Sequence, residues 1–461
     1  MAIAASQKPV VSRSAQAILP AFLLLCLLAG GSSRATWGNL ALQALAPLVI
    51  AFAIATGATV DQNRNSKALL WLLGAWLVLI LLQLVPLPPA IWSGLPGREV
   101  VAEGYRALGY ALPWLPLAMA PYELLRSLGA LLVPAAVLLM MLRVRQNEVW
   151  IGVVIVIGAL AGVTLGALQV GGGGPGQSPW YLYEITNVGA VGFFANSNHM
   201  GSLLLAAFPF AVALVARTQM SRSGKGFAAP MAILGAAGCL LIAVGVALNR
   251  SLAALALFVP VVFASILLLR QGSKHKRWIA PLSIVAAIVC LAILTGAGLR
   301  AELSGGDTSS FVTRTEMWSR TASLVADSFP FGTGVGSFPS VYVLTEDPRA
   351  IGLTYINHAH NDFLELILET GLAGLLLLCA SLVWWLMTAF KVWLSPSSGQ
   401  FSRAATIASG ALILHGLVDY PMRTGALSAV MAACLGMMAI AQSQSRQEWS
   451  RFRTARHIKI A

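Results

Sequence analysis

Apolar residues run along the chain in continuous stretches, without strict alternation, and the stretches recur from one end to the other. Each is about 17 to 25 residues long, enough for a helix to cross a hydrocarbon core of roughly 30 Å. Unbroken apolarity predicts helices, because a membrane barrel needs strands that alternate. The pattern places spans near 18–33, 38–58, 68–86, 124–142, 149–170, 199–217, 229–247, 251–270, 278–298, 363–390, 404–421 and 423–442. The expectation is therefore an all-α polytopic membrane protein of about twelve transmembrane helices. One long polar insert, residues 299–362, separates the ninth and tenth spans. Within it Phe311, Arg314, Thr315, Trp318, Leu324 and Val325 recur at helical spacing. They predict a short amphipathic helix that ends at Pro330 and the glycines Gly332, Gly334 and Gly336.

Composition agrees, since 57% of residues are hydrophobic, only 10% are charged and the mean hydropathy is +0.78. Lipid is then the main solvent. A net charge of +13 invites a nucleic-acid reading, but the basic residues are distributed by loop and no nucleic-acid partner is expected. With a cytoplasmic amino terminus, that side receives every lysine and most arginines, while most carboxylates fall on the other. This is the positive-inside pattern. It puts both termini in the cytoplasm, the 299–362 insert outside, and the basic tail 443–461 against anionic headgroups. The first run follows Lys8 and Arg13 and ends in small residues near Ala29 and Gly30, as a secretory signal does. A retained helix fits better, because the remaining topology signals agree with it. Cys26, Cys239, Cys290, Cys379 and Cys434 lie inside apolar runs without metal or redox spacing, and read as packing residues.

Several chemistries drop out on pattern. The glycines Gly171–Gly174 before Pro175 and Gly176 lack the Gly-Lys-Ser/Thr ending of a nucleotide-binding loop and read as a connector. No halves repeat with inverted topology, so the pattern of many secondary transporters is missing. What stands out is a collection of ionisable residues at external and boundary positions: Arg250, Arg314, Arg320, His358, His360, Asp362, Glu365, Glu369, His415, Asp419 and Arg423. Such groups cost about 2.5 to 3.5 kcal/mol each at membrane depth and need partners or a task. Asp362, Glu365 and Glu369 fall on one helix face, which should look into a polar cavity. His358-x-His360-x-Asp362 opens a two-metal hydrolase motif, but Phe363 stands where that motif needs another histidine, so no metal is expected. By themselves, a histidine at a helix start is a cap or a catalyst, and Arg250 is an interfacial anchor or a fork for phosphate.

The motifs bring in a family. His360-Asn361, followed nine residues on by Gly371-Leu372-Ala373-Gly374, resembles the His-Asn/Ser…Gly-x-x-Gly signature of the O-antigen ligase and polymerase superfamily of bacterial envelope glycosyltransferases. Arg314-Thr315-Glu316-Met317-Trp318, Pro330-Phe331-Gly332-Thr333-Gly334 and Gly336-Ser337-Phe338 are similar to that family's approach to the histidine. Phe194-Ala195-Asn196-Ser197-Asn198, Asn249-Arg250-Ser251 and His415-Gly416-Leu417-Val418-Asp419-Tyr420 agree as well, although the family more often has serine where this chain has Asn249. The resemblance covers about residues 190–442 and leaves residues 1–190, with the first five spans, without a usable motif.

The resemblance implies a multi-pass protein of the bacterial inner membrane, with a periplasmic active site in the loop 299–362 and no cofactor. Its donor would be a polyprenyl-diphosphate-linked glycan, and its acceptor a glycan, lipid A-core or other hydroxyl. His360 would take the acceptor's proton, with inversion at the anomeric carbon, while Arg250 and Arg314 hold the diphosphate. Asn198, His358, Asn361, Asp362, Glu369, His415 and Asp419 would be supporting or acceptor-site groups. Ligase and polymerase remain open, as does transfer to a protein hydroxyl. A flippase for lipid-linked sugars is the rival from another class, but would be expected to place its charges along a path through the bilayer centre.

Overall fold

In the computed structural model, which describes residues 13–56, 63–144, 146–185, 189–220, 225–269, 309–346 and 356–458, the apolar runs form helices throughout. Helices α1 (Arg13–Ala29), α2 (Trp37–Ala55) and α3 (Arg64–Leu82) lead into a small insert. There strands β1 (Pro86–Leu87) and β2 (Leu115–Pro116) pair antiparallel, enclosing the short helices α4 (Pro89–Trp92) and α5 (Glu99–Ala107). Five long helices follow: α6 (Pro121–Arg143), α7 (Glu148–Gly171), α8 (Ser197–Met220), α9 (Lys225–Asn249) and α10 (Leu252–Leu269). The polar α11 (Ser309–Ser328) matches the amphipathic helix expected there, and a short α12 (Phe338–Tyr342) comes after it. The chain ends in α13 (Asp362–Leu394), α14 (Gln400–His415) and α15 (Gly425–Ile458).

Among the described residues eight helices are long and apolar enough to cross a membrane, and the apolar stretches Ala15–Ala29 and Gly425–Ala441 are shorter. The protein is an all-α membrane protein. The span expected at 278–298, with Cys290, lies outside the described residues, as do 299–308 and 347–355 of the polar insert. Helix α8 is the centre of the bundle, because 94% of its apolar window is buried against 28% for α2. Helices around it turn large apolar side chains outward, Leu48 of α2, Trp71 of α3, Ile233 of α9 and Leu376 of α13 among them, as helices facing lipid do. The indole N–H groups of α13 are satisfied inside the bundle, Trp385 on Ser409 Oγ at 2.9 Å and Trp393 on Thr406 Oγ1 at 2.8 Å.

One break governs the end of the bundle that carries the candidate site. Gly371, at φ 60° and ψ −149°, interrupts α13, a backbone region essentially restricted to glycine. The Leu372 N–H would bond the Leu368 carbonyl in an unbroken helix; instead it donates to the Pro330 carbonyl at 2.8 Å. The freed Leu368 and Glu369 carbonyls accept from the Thr333 N–H at 3.0 Å and the Gly334 N–H at 2.9 Å. Residues 330–336 thus complete the hydrogen bonding of a broken membrane helix, where unpaired peptide groups cost several kcal/mol each.

The first half of the chain joins this junction. Gln83, at the end of α3, donates to the Glu369 carbonyl at 3.0 Å and accepts from the Val335 N–H at 3.0 Å. Met119 N–H, after β2, donates to the Thr333 carbonyl at 2.8 Å. The sequence offers no usable motif in the first five spans, yet their connecting segment pins the polar loop against α13. Gly371→Ala is expected to cost about 1 to 3 kcal/mol from the backbone alone. Its Cβ would also collide with the Pro330 carbonyl oxygen. Thermal melting of the purified variant should drop by several degrees, and an unchanged melting temperature would show that the loop does not clamp the break.

Candidate functional site

Asn361 caps α13, its Oδ1 accepting the N–H groups of Phe363 at 3.1 Å and Leu364 at 3.0 Å. His360 therefore sits just outside the cap, and its carbonyl accepts the Trp318 indole N–H from α11 at 3.3 Å. It has φ 49°, and among the described residues the other non-glycine with positive φ is Arg250, at φ 59°. Left-handed backbone at ordinary residues is uncommon and gathers at active sites and ligand clamps, where surrounding structure enforces it. These are the residues that the sequence marks as base and diphosphate holder.

Asp419, fully buried just beyond α14, is the hub of the site. Its Oδ1 lies 3.1 Å from His360 Nδ1 and accepts the Tyr420 N–H at 2.9 Å. Arg314 Nη2 stands 4.0 Å from Oδ2, and His199 Nε2 stands 3.9 Å from Oδ1. An anion on Nδ1 fixes the tautomer that leaves Nε2 as the basic nitrogen. His360 remains 23% exposed, enough to meet a substrate.

His358 repeats the arrangement, its Nδ1 2.8 Å from Glu365 Oε1, while the Ala359 N–H donates to Oε2 at 2.8 Å. Both imidazoles lean on Tyr420, at ring-centre distances of 4.3 Å for His358 and 4.8 Å for His360. The Tyr420 hydroxyl is hydrogen-bonded to the side chains of Asn357 and Asn196, tying the histidine segment to the approach to α8. Hence the three residues of the His358-x-His360-x-Asp362 pattern are directed to three different partners. Asp362 accepts the Met422 N–H at 3.2 Å and lies 3.7 Å from Arg423 Nε.

The acidic face of α13 converges on Arg423, in a 3-10 turn at Pro421–Arg423. Arg423 Nη2 is 3.3 Å from Glu365 and 3.0 Å from Glu369. Glu369 also accepts the Gly336 N–H at 2.8 Å, so the carboxylate expected to support the site joins Arg423 to the clamped loop. Arg320 is a surface tie, holding Glu316 at 2.7 Å and the Thr345 carbonyl at 2.5 Å.

Arg250 is exposed at the α9–α10 junction, between two anchored neighbours. The Asn249 amide donates to the Ala190 carbonyl at 2.8 Å and the Ser197 carbonyl at 2.7 Å, two bonds that a serine hydroxyl with its single proton could not both make. Ser251 Oγ donates to Asn198 Oδ1 at 2.7 Å. One turn further along α8, Ser202 Oγ lies 2.8 Å from His415 Nδ1. This chain of contacts runs from the two neighbours of Arg250 through Asn198 and Ser202 to His415, whereas the Arg250 side chain itself is not brought into contact with His360, Asp419 or Arg314. His199 and Gln83 are the residues that sequence reasoning misses, although His199 directly follows the Phe194–Asn198 piece and Gln83 is a polar residue ending an apolar run.

Helical bundle and site together define a polytopic membrane protein with a carboxylate-oriented histidine and an arginine beside it at one end. Residues 237–379, from within α9 to beyond Gly374, match the family model described as O-Antigen ligase. The match is to a family of glycosyl-transferring enzymes in general. No curated protein matches the chain. Arg250, Arg314 and His360 lie inside the matched segment; Asp419, Arg423 and His199 lie outside it.

Arg423→Ala should be destabilising by about 3 to 5 kcal/mol, because it strands buried carboxylates. Adding Glu369→Gln should recover part of the loss, as a double-mutant cycle in thermal melting would measure. Independent, additive effects would break the assigned pairing.

Proposed function

We propose that this chain transfers or polymerises polyprenyl-diphosphate-linked glycan on the periplasmic side of a bacterial inner membrane, as an O-antigen ligase or an O-antigen or exopolysaccharide polymerase. The observation that carries the reading is the His360–Asp419 pair at 3.1 Å, with Arg314 4.0 Å from the other carboxylate oxygen. The charge asymmetry of the loops supports an outward-facing site, and the family match supports a glycan as the transferred group.

In this mechanism His360 Nε2 removes the proton of an acceptor hydroxyl as its oxygen attacks the anomeric carbon. The bond from that carbon to the diphosphate breaks on the opposite face, so configuration inverts and polyprenyl diphosphate departs. Asp419 stabilises the imidazolium that forms. Arg250 and Arg314 take up the leaving charge through forked donors to phosphate oxygens. Guanidinium groups supply the stabilisation that a divalent ion gives elsewhere, and the donor's own diphosphate bond supplies the driving force, so the reading needs neither metal nor nucleotide.

Asp362 and Glu369 are held by Arg423, and His358 meets the same Tyr420 ring as His360. One donor site serves ligase and polymerase alike. Deleting the chain in its host separates them: accumulated long lipid-linked chains indicate a ligase, and accumulated single repeat units a polymerase.

His360→Ala should lower glycan transfer by at least about a hundredfold while leaving the protein inserted and abundant; near-normal release of polyprenyl diphosphate would remove the base role. Arg250→Lys should lose about ten- to a hundredfold, the worth of one charged hydrogen bond that a lysine cannot place in a fork. Donor affinity equal to wild type in that variant would return Arg250 to an interfacial anchor.

A further inference from the structure

His199 lies in the first turn of α8 and is 2% exposed, and among the described residues neither of its ring nitrogens has a hydrogen-bond partner. The same is true of His415 Nε2 and Asp419 Oδ2. Buried polar atoms are nearly always paired, and four unpaired ones on three residues around one carboxylate call for a reason. The residues are close: His199 Nε2 is 3.9 Å from Asp419 Oδ1, and the Asp419 N–H donates to the His415 carbonyl at 3.0 Å. At 3.9 Å His199 Nε2 and Asp419 Oδ1 are beyond a direct hydrogen bond but close enough for the imidazole N–H dipole and the buried carboxylate to attract each other.

We propose that His199 is a positioning residue for glycan transfer, its Nε2 turned to Asp419 and so keeping that carboxylate directed at His360 while the His360 imidazole gains and loses its proton. The inference rests on the function proposed above. Asp419 has His360 at 3.1 Å on one oxygen and Arg314 at 4.0 Å on the other. The Tyr420 N–H at 2.9 Å holds Oδ1 from the backbone, and Arg314 is also needed by the diphosphate, so His199 is the side chain near Asp419 that no substrate recruits. Groups that orient a working histidine through its partner typically matter ten- to a hundredfold.

A purely structural role is separable. The His199 ring meets Tyr420 edge-on at 4.7 Å and 84°, a contact that a phenyl ring reproduces and an amide does not. His199→Phe keeps the packing and removes both nitrogens, whereas His199→Gln keeps a donor and gives up the ring. The assay uses the full chain in nanodiscs and lipid-diphosphate-linked glycan extracted from a host strain lacking it, with His360→Ala as the inactive control. His199→Phe is expected to lower kcat by about ten- to a hundredfold with KM for the donor nearly unchanged, and His199→Gln to retain most of the activity. The reverse order, or wild-type kcat in both variants while His360→Ala is dead, overturns the assignment and leaves the proposed function standing. A wild-type chain that does not turn the donor over overturns both.

Discussion

A helix in lipid cannot leave peptide groups unpaired, and the site of this protein is organised around one that breaks that rule locally. At Gly371 the ladder of α13 opens, and the loop 330–336 closes it with three main-chain hydrogen bonds of 2.8 to 3.0 Å. The loop is held because the helix needs it, and the helix can bend because the loop is there. Everything on the near side of the break follows from this: Glu369 presents its carboxylate to Gly336 and Arg423, Glu365 to His358 and Arg423, and Asn361 caps the start so that His360 projects from the end.

Two electrostatic groups then share the space. Arg423 gathers three carboxylates of α13 into a buried cluster that serves the scaffold. Asp419 gathers His360, Arg314 and His199 into a second cluster, in which His360 is partly exposed. Tyr420 separates them, with rings of His199, His358 and His360 all within 4.3 to 4.8 Å. The partition lets Asp419 stay ionised beside the His360 imidazole without drawing on Arg423, the cation that stabilises the helix.

Much of this was legible in the residues. Helices were readable because a membrane span needs a long, unbroken apolar run, and the polar helix α11 because Phe311, Arg314 and Trp318 keep helical spacing. The acidic face of α13 was readable from the intervals between Asp362, Glu365 and Glu369, but its partner was not, since Arg423 lies more than fifty residues further on and no local spacing connects them. Gln83 was hidden for the same reason: a lone amide at the end of a span has no pattern until the loop that it holds is seen. His199 was hidden by its neighbours, which carry the resemblance, while its own meaning depends on a carboxylate 220 residues away.

The reach of Gln83 across the fold has a consequence for how such proteins can be recombined. The matched segment 237–379 holds His360, Arg250 and Arg314, yet it is not a portable cassette. The amide that seats Val335 and the Glu369 carbonyl comes from the opposite end of the polypeptide, and so does the Met119 N–H on Thr333. A chimera that joined this segment to a foreign amino-terminal half would inherit the chemistry without its seating, unless the donor of that half also supplied a side chain with both a proton to give and a lone pair to offer at the tip of its third span.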